Sequence, residues 1–242
     1  MSILFISDIH LSPEQPEITV AFFALLKKLE KIRPEAVFIL GDLFNFWIGD
    51  KAVDDFSRQI ATEIKKTSEI CPIFFQRGNR DFFIAEKFCD LSGMTLLPDI
   101  YIFEYENRKI LLEHGDLLCT DDVNYQKLRR VLRSKIIYRL AKIVPTFLIR
   151  KIAEMLRRKS KNATQRKTKT ILNTNPQAIE QRFLVSKVDI IIHGHTHCPG
   201  VQSLDKNKYI VVLGDWNPMG KTFLFSSEQN LELILSGDLA AN

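Results

Sequence analysis

No apolar run in this chain approaches the roughly 20 residues that a membrane-spanning helix requires. Glycine and proline are scarce, 10 and 9 among 242 residues, so there is no linker or low-complexity tract, and no internal repeat stands out. The four cysteines, Cys71, Cys89, Cys119 and Cys198, are scattered and form no C-x-x-C pair. That argues against a cysteine-bound metal and for reduced cytosolic thiols. The amino terminus enters an apolar stretch directly, with no basic leader or small-residue cleavage site, so no signal peptide is expected.

What the chain does have is an uneven charge. The net charge of +5 hides a segment, residues 123–178, with 16 Lys and Arg against the single acid Glu154. The remainder carries 18 basic and 28 acidic residues, so an acidic body bears one strongly basic stretch. Such a stretch is built to meet an anion: nucleic acid, a phosphorylated ligand or an acidic membrane surface.

Along the chain one event recurs. Residues 3–10 read Ile-Leu-Phe-Ile-Ser-Asp-Ile-His, an apolar run closed by Asp8 and His10. On a strand, residues two apart point to the same side, and carboxylate with imidazole suits a first-row divalent metal. Residues 18–32 have helical spacing, stopped by Pro34, and residues 36–40 form a second apolar strand ending in Gly41-Asp42. This βαβ unit places Asp8, His10 and Asp42 at the carboxyl ends of neighbouring parallel strands, where open α/β sheets bind ligands. A second crossover helix over 54–69 and a third strand over 71–76 lead to Gly78-Asn79-Arg80-Asp81, offering a carbonyl ligand and a phosphate-binding guanidinium. A short helix over 82–92 follows, then a hairpin of strands 100–105 and 108–113, ending in His114-Gly115-Asp116.

The basic segment then reads as a helical hairpin inserted between two sheet-forming halves, with bounds 120–180. A long helix starts near Asp122 and carries Tyr125, Leu128, Leu132, Ile136, Leu140 and Ile143 on one face until Pro145. A second helix covers 147–156, and a third runs from 164 to about 172, before Pro176. The sheet resumes at 188–192 and ends in Gly194-His195-Thr196-His197, repeating the one-residue gap of Asp8 and His10. Strands over 209–213, 221–225 and 231–235 are expected to close a second sheet.

The collected tip groups are Asp8, His10, Asp42, Asn79, His114, His195 and His197, too many for one cation and suited to two with a shared carboxylate. His193 stands behind them, and Cys198 is read as an inert small residue. Mixed carboxylate and imidazole ligands favour manganese, iron or zinc over magnesium or calcium.

The order Ser7-Asp8-Ile9-His10, Gly41-Asp42, Gly78-Asn79-Arg80-Asp81, His114-Gly115-Asp116 and Gly194-His195-Thr196-His197 resembles the calcineurin-like metallophosphoesterases over nearly the whole chain. That resemblance implies an α/β fold: a single-domain (1–242) two-sheet sandwich flanked by helices. It also implies two divalent metal ions, taken as Mn2+, with Asp8, His10 and His197 on one, Asn79, His114 and His195 on the other, and Asp42 bridging.

Trp47-Ile48-Gly49-Asp50, Gly78 through Phe82, and His114 through Asp122 are similar to the UDP-2,3-diacylglucosamine pyrophosphatase family of lipid A synthesis. So is the basic insertion holding Ser160 and Lys167. This closer resemblance implies hydrolysis of the substrate's diphosphate to UMP and 2,3-diacylglucosamine 1-phosphate. It implies substrate contacts at Asn79, Arg80, Asp122, Ser160, Thr164, Lys167 and His195, and catalytic roles for Asn79, Arg80, His114 and His195. It further implies a cytoplasmic protein in peripheral contact with the anionic inner-membrane surface, with no nucleic acid or stable protein partner. Arg77, Lys51, Thr164 and Cys198 depart from the common pattern of that family, outside the metal set.

Two rival readings stand beside it. A nuclease or nucleotide phosphodiesterase would use the basic segment to track phosphates. The segment's helices, however, carry apolar residues rather than aromatic stacking platforms. An inactive member serving as a scaffold would be expected to have lost ligands, and all seven are present.

Overall fold

The computed structural model describes residues 2–145, 148, 151, 155, 173–205 and 207–216; for 221–226, 231–235 and positions 135, 138, 141 and 142 it describes the backbone alone. The first half alternates strand and helix: β1 (Ser2–Ile6), α1 (Pro16–Ile32), β2 (Ala36–Leu40), α2 (Asp55–Ser68), β3 (Ile73–Gln76), α3 (Glu86–Ser92) and the short β4 (Thr95–Leu96). The second half holds β5 (Ile100–Tyr105), β6 (Arg108–Glu113), α4 (Val123–Leu132), α5 (Lys135–Ile143), α6 (Pro176–Ser186), β7 (Ile190–His193), β8 (Gly200–Asp205), β9 (Lys208–Val212), β10 (Lys221–Ser226) and β11 (Leu231–Leu235).

Two sheets result, ordered β11-β10-β1-β2-β3-β4 and β5-β6-β7-β9-β8. Strand alternation sorts each strand's side chains between two cores. Ile3 and Phe5 of β1 and Phe38 of β2 face Ile110, Leu112, Ile190 and Val211 between the sheets. Leu4, Ile6, Val37 and Ile39 point the other way, against α1 and α2 through Phe22, Leu26, Ile60 and Ile64. On the far side Leu111, Ile191 and Ile210 meet Phe183 of α6. The layers are therefore helix, sheet, sheet, helix. Phe5, fully buried, stacks on Phe38 with ring centroids 5.3 Å apart, and truncating such a phenylalanine to alanine costs about 3–5 kcal/mol.

Local chemistry sets the element ends. Pro16 opens α1 and Arg33, in the left-handed region, closes it. Asp54 and Ser57 form a reciprocal capping box on α2. Asp50 receives the Trp47 indole N–H and the backbone N–H groups of Ala85 and Phe88, so the Trp-Ile-Gly-Asp stretch caps α3.

Several expectations are corrected. The third crossover helix begins at Glu86 rather than near 82. The long helix from Asp122 is two helices, because Ser134 leaves the helix and caps α5 through the Ile137 N–H. A helix not anticipated starts at Pro176, which occupies the first turn of α6 with Asn175 as its cap. β10 and β11 extend the first sheet, β10 antiparallel to β1 and β11 antiparallel to β10, and of the three expected strands only β9 joins the second. The short strand β4 and the strand β8 were not anticipated. The helices expected over 147–156 and 164–172 lie largely or wholly outside the described residues. The Leu118 carbonyl accepts the Asn175 N–H at 2.8 Å, so the chain between them leaves and returns at one place.

Candidate metal centre

The strand tips of both sheets converge. The expected alternation on a strand is not what aligns Asp8 with His10, since β1 ends at Ile6. Both residues lie in the following loop in the left-handed region, with φ of 53° and 56°. Asp42, His195 and His197 adopt it as well, with φ of 54°, 70° and 55°. Non-glycine residues visit this region rarely, Asp and His more than most. The loops are pinned to each other: the Asp8 N–H donates to the Gly41 carbonyl at 3.0 Å and the His10 N–H to that of Asp42 at 2.9 Å. Close approach also excludes side chains. A Cβ on Gly78 would collide with the Asp42 carboxylate, and one on Gly194 with that of Asp8.

The seven residues fall into two groups joined by the buried carboxylates. In one, His197 Nε2 lies 3.4 Å from Asp8 Oδ1 and 3.4 Å from His10 Nε2. In the other, Asn79 Oδ1 stands 2.9 Å from both His114 Nε2 and His195 Nδ1. Asp42 lies between, its Oδ2 3.8 Å from His10 Nδ1 and its Oδ1 3.7 Å from His114 Nε2. His114 donates from Nδ1 to the Leu40 carbonyl at 2.8 Å, which leaves the Nε2 lone pair facing the centre. Asp8 is anchored by the His195 N–H on Oδ2, while its Oδ1 is buried without a hydrogen-bond partner. An orphaned carboxylate oxygen and convergent acceptor atoms are costly unless a cation fills the space between them, so the donor set fits divalent metal.

Electrostatics agree. Burial pushes Asp42 up to about 6, helped by the like charge of Asp8, while His114 and Arg80 oppose the shift. Asp8 is buried too, yet its contact with His197 and the charges of His114, His197 and His10 hold it below the usual carboxylate range. Burial lowers His10 to about 4 and His195 to about 3, leaving both neutral and ready to coordinate. Burial opposes protonation of His114 and His197, but the surrounding carboxylates raise both.

Arg80 donates its backbone N–H to Asp42 Oδ1 at 2.8 Å, and its charge acts on both His10 and Asp42. Asp122 is found as the cap of α4, accepting the Tyr125 N–H at 3.1 Å. Ser160, Thr164 and Lys167 lie outside the described residues. His193 is fully buried beside Gly194 and Gly115, behind the tip residues. Cys198 is exposed, whereas Cys71, Cys89 and Cys119 are buried. Two supporting carboxylates escaped sequence reasoning, although each ends a quoted motif. Asp81 accepts the N–H groups of Gly78 and Leu43, both at 2.7 Å. Asp116 accepts Tyr125 Oη at 2.6 Å and Arg129 Nε at 2.7 Å. Their signal was an acid following a tip ligand by two residues in each motif.

Comparison with known proteins gives the same answer as the geometry. Residues 1–199 match the family model described as calcineurin-like phosphoesterase. A UDP-2,3-diacylglucosamine hydrolase of Serratia proteamaculans is 41% identical, over 97% of this chain and 98% of that protein. The protein of the same name in Vibrio parahaemolyticus is 38% identical over 94% and 96%. The solved structure of an archaeal phosphodiesterase shares the fold, with a TM-score of 0.52 at 14% identity, over 97% of this chain and 99% of that one. With tip residues from both sheets gathered around two buried carboxylates and this likeness spanning the chain, the protein belongs to the calcineurin-like phosphoesterase family.

Proposed function

We propose that this chain hydrolyses the diphosphate of UDP-2,3-diacylglucosamine, releasing UMP and 2,3-diacylglucosamine 1-phosphate. The observation that carries the proposal is a phosphoesterase-type ligand cluster in a chain 41% identical, over 97% of its length, to a protein named UDP-2,3-diacylglucosamine hydrolase. In this reading Asp8, His10 and His197 hold one cation, Asn79, His114 and His195 a second, and Asp42 serves both. Bound there, two divalent cations, manganese by preference, would neutralise charge on the phosphorus oxygens and acidify water toward neutral pH.

The protein's own groups do the rest. The Leu40 carbonyl orients His114, and the Asp81 carboxylate holds the loops carrying Asp42 and Asn79 against each other. Arg80, beside Asp42 and His10, is a fork for phosphate oxygens. His114 and His195 serve first as ligands. Asp122, Ser160, Thr164 and Lys167 would contact the rest of the substrate.

The basic insertion, 120–180, fits a substrate with an anionic head and two acyl chains. It exposes apolar side chains beside its charges: Ile136, Leu140 and Ile143 on α5 are 69%, 49% and 79% exposed. An amphipathic basic surface of this kind can rest on an anionic membrane, so we place the enzyme peripherally on the cytoplasmic face of the inner membrane. Among the described residues no helix is long and apolar enough to cross a bilayer.

The test is a product assay: manganese-loaded protein, UDP-2,3-diacylglucosamine in detergent, mass spectrometry, and Asp42→Asn as control. UMP plus the lipid 1-phosphate, lost in the variant, is expected. Hydrolysis of a generic phosphodiester without lipid turnover would retain the metal site and overturn the substrate.

A further inference from the structure

We propose that α4 is a clamp on one half of the metal centre, with Arg133 and Tyr125 as positioning residues for Asn79 and His195. The proposal rests on the reading above that Asn79, His114 and His195 hold a cation.

The clamp begins at Asp116. This carboxylate is 2% exposed, and a charge so buried must be paired. Its partners all come from one face of α4 and its cap. Tyr125 donates from Oη at 2.6 Å, Arg129 from Nε at 2.7 Å, and Arg133 Nη2 lies 3.9 Å away. The spacing of four residues stacks these three side chains on a single helical face. Asp99 adds a second carboxylate, bound by both arginines.

Buried ion clusters are weak arguments for stability, because well-packed apolar residues do as well or better. What marks this one is where its outer ends reach. Arg133 Nη2 donates to the Gly78 carbonyl at 2.9 Å and approaches that of Arg77 at 3.3 Å. Those are the peptide oxygens immediately before Asn79. The Tyr125 ring stacks on the His195 imidazole, centroids 6.3 Å apart and planes 26° from parallel. Asn79 Oδ1 and His195 Nδ1 face each other at 2.9 Å. The helix thus grips the backbone behind one member of the pair and the ring of the other. The charge of Asp116 also acts on His114 and His195.

The consequence is asymmetric. Groups that orient metal ligands from behind commonly change affinity by about 10–100-fold when removed. Loss of the clamp should loosen the Asn79–His114–His195 half and spare the Asp8–His10–His197 half.

The experiment is a Mn2+ titration of the metal-free full-length chain, counting free ion by electron paramagnetic resonance. The wild type is expected to take two ions. Arg133→Met and Tyr125→Leu should each weaken one of the two sites by about 10-fold or more and leave the other unchanged. Arg133→Lys, which keeps one donor, should recover part of the loss. Lys127→Met, on the exposed side of the same helix, should bind both ions as the wild type does. Two ions in the wild type and unaltered affinities in Tyr125→Leu and a folded Arg133→Met would overturn the clamp alone. If Arg133→Met does not fold, Tyr125→Leu decides, since it leaves the arginine–carboxylate pairs in place. Equal weakening of both sites would overturn the asymmetry and with it the clamp. A wild-type chain that takes fewer than two ions would overturn the metal reading as well.

Discussion

The Asp81 carboxylate accepts the backbone N–H of Leu43 at 2.7 Å, across 38 residues of chain. The same side chain receives the Gly78 N–H, so the loops carrying Asp42 and Asn79 are held by one buried group. Asp81→Asn would turn an amide N–H toward backbone N–H groups. The expected result is a loss of roughly 1–3 kcal/mol of stability and a fall in metal affinity of about 10-fold or more. Thermal melts and metal titration of the variant would check both. Wild-type values would remove Asp81 from any supporting role.

Metal affinity should depend on pH. Asp42 keeps its proton to about 6, and His114 and His197 are also raised. Each must lose that proton to coordinate, so protons and metal compete. Affinity should therefore rise with pH through about 6, with proton release on binding, and fall steeply on the acid side. Calorimetry in buffers of different ionisation enthalpy reads both quantities. A flat affinity between pH 5 and 8 would contradict the assignment.

Glu113 bears on stability rather than chemistry. Burial raises its carboxyl to about 7, although Arg182 of α6 pairs with it at 3.0 Å and opposes the shift. A carboxyl raised on folding favours the native state fully below its unfolded value and loses that contribution as pH climbs through the folded one. In the metal-free protein, Glu113→Gln should therefore gain stability relative to wild type between pH 5 and 8. Urea unfolding at the two pH values measures it. A difference that is constant or of opposite sign would refute the shift.

Lys167→Ala should impair use of the lipid substrate, chiefly through KM, while metal content stays at the wild-type level. The reason is the surplus of cations in the insertion, suited to an anionic head group. Steady-state kinetics on the lipid and elemental analysis of the same sample are sufficient. Unchanged kinetics would exclude Lys167 from the substrate contacts.

Much of the architecture was legible because period-two and helical apolar patterns are local. The hairpin 100–105 and 108–113 matches β5 and β6 to the residue. Helix α1 ends just before Pro34, as expected, and α2 lies within the expected 54–69. Where the reading failed, a non-local partner or one capping residue decided. Ser134 broke an apolar face that looked continuous. The pairing of β10 with β1 joins the two ends of the chain, and no pattern within either strand records it.

The sequence alone singled out the residues that gather at the centre, because side-chain identity and the apolar run before each tip are both written in the chain. It also determined the family, through the order of those tips. Only the tertiary structure decided how they meet. Asp8, His10, Asp42, His195 and His197 turn inward by left-handed backbone held between loops, not by strand alternation. Asp8 is drawn below the usual carboxylate range while Asp42 rises to about 6, although both are buried, because their neighbours differ. A side chain's ionisation and orientation depend on groups far along the chain, and these become neighbours only when the two sheets close on one another.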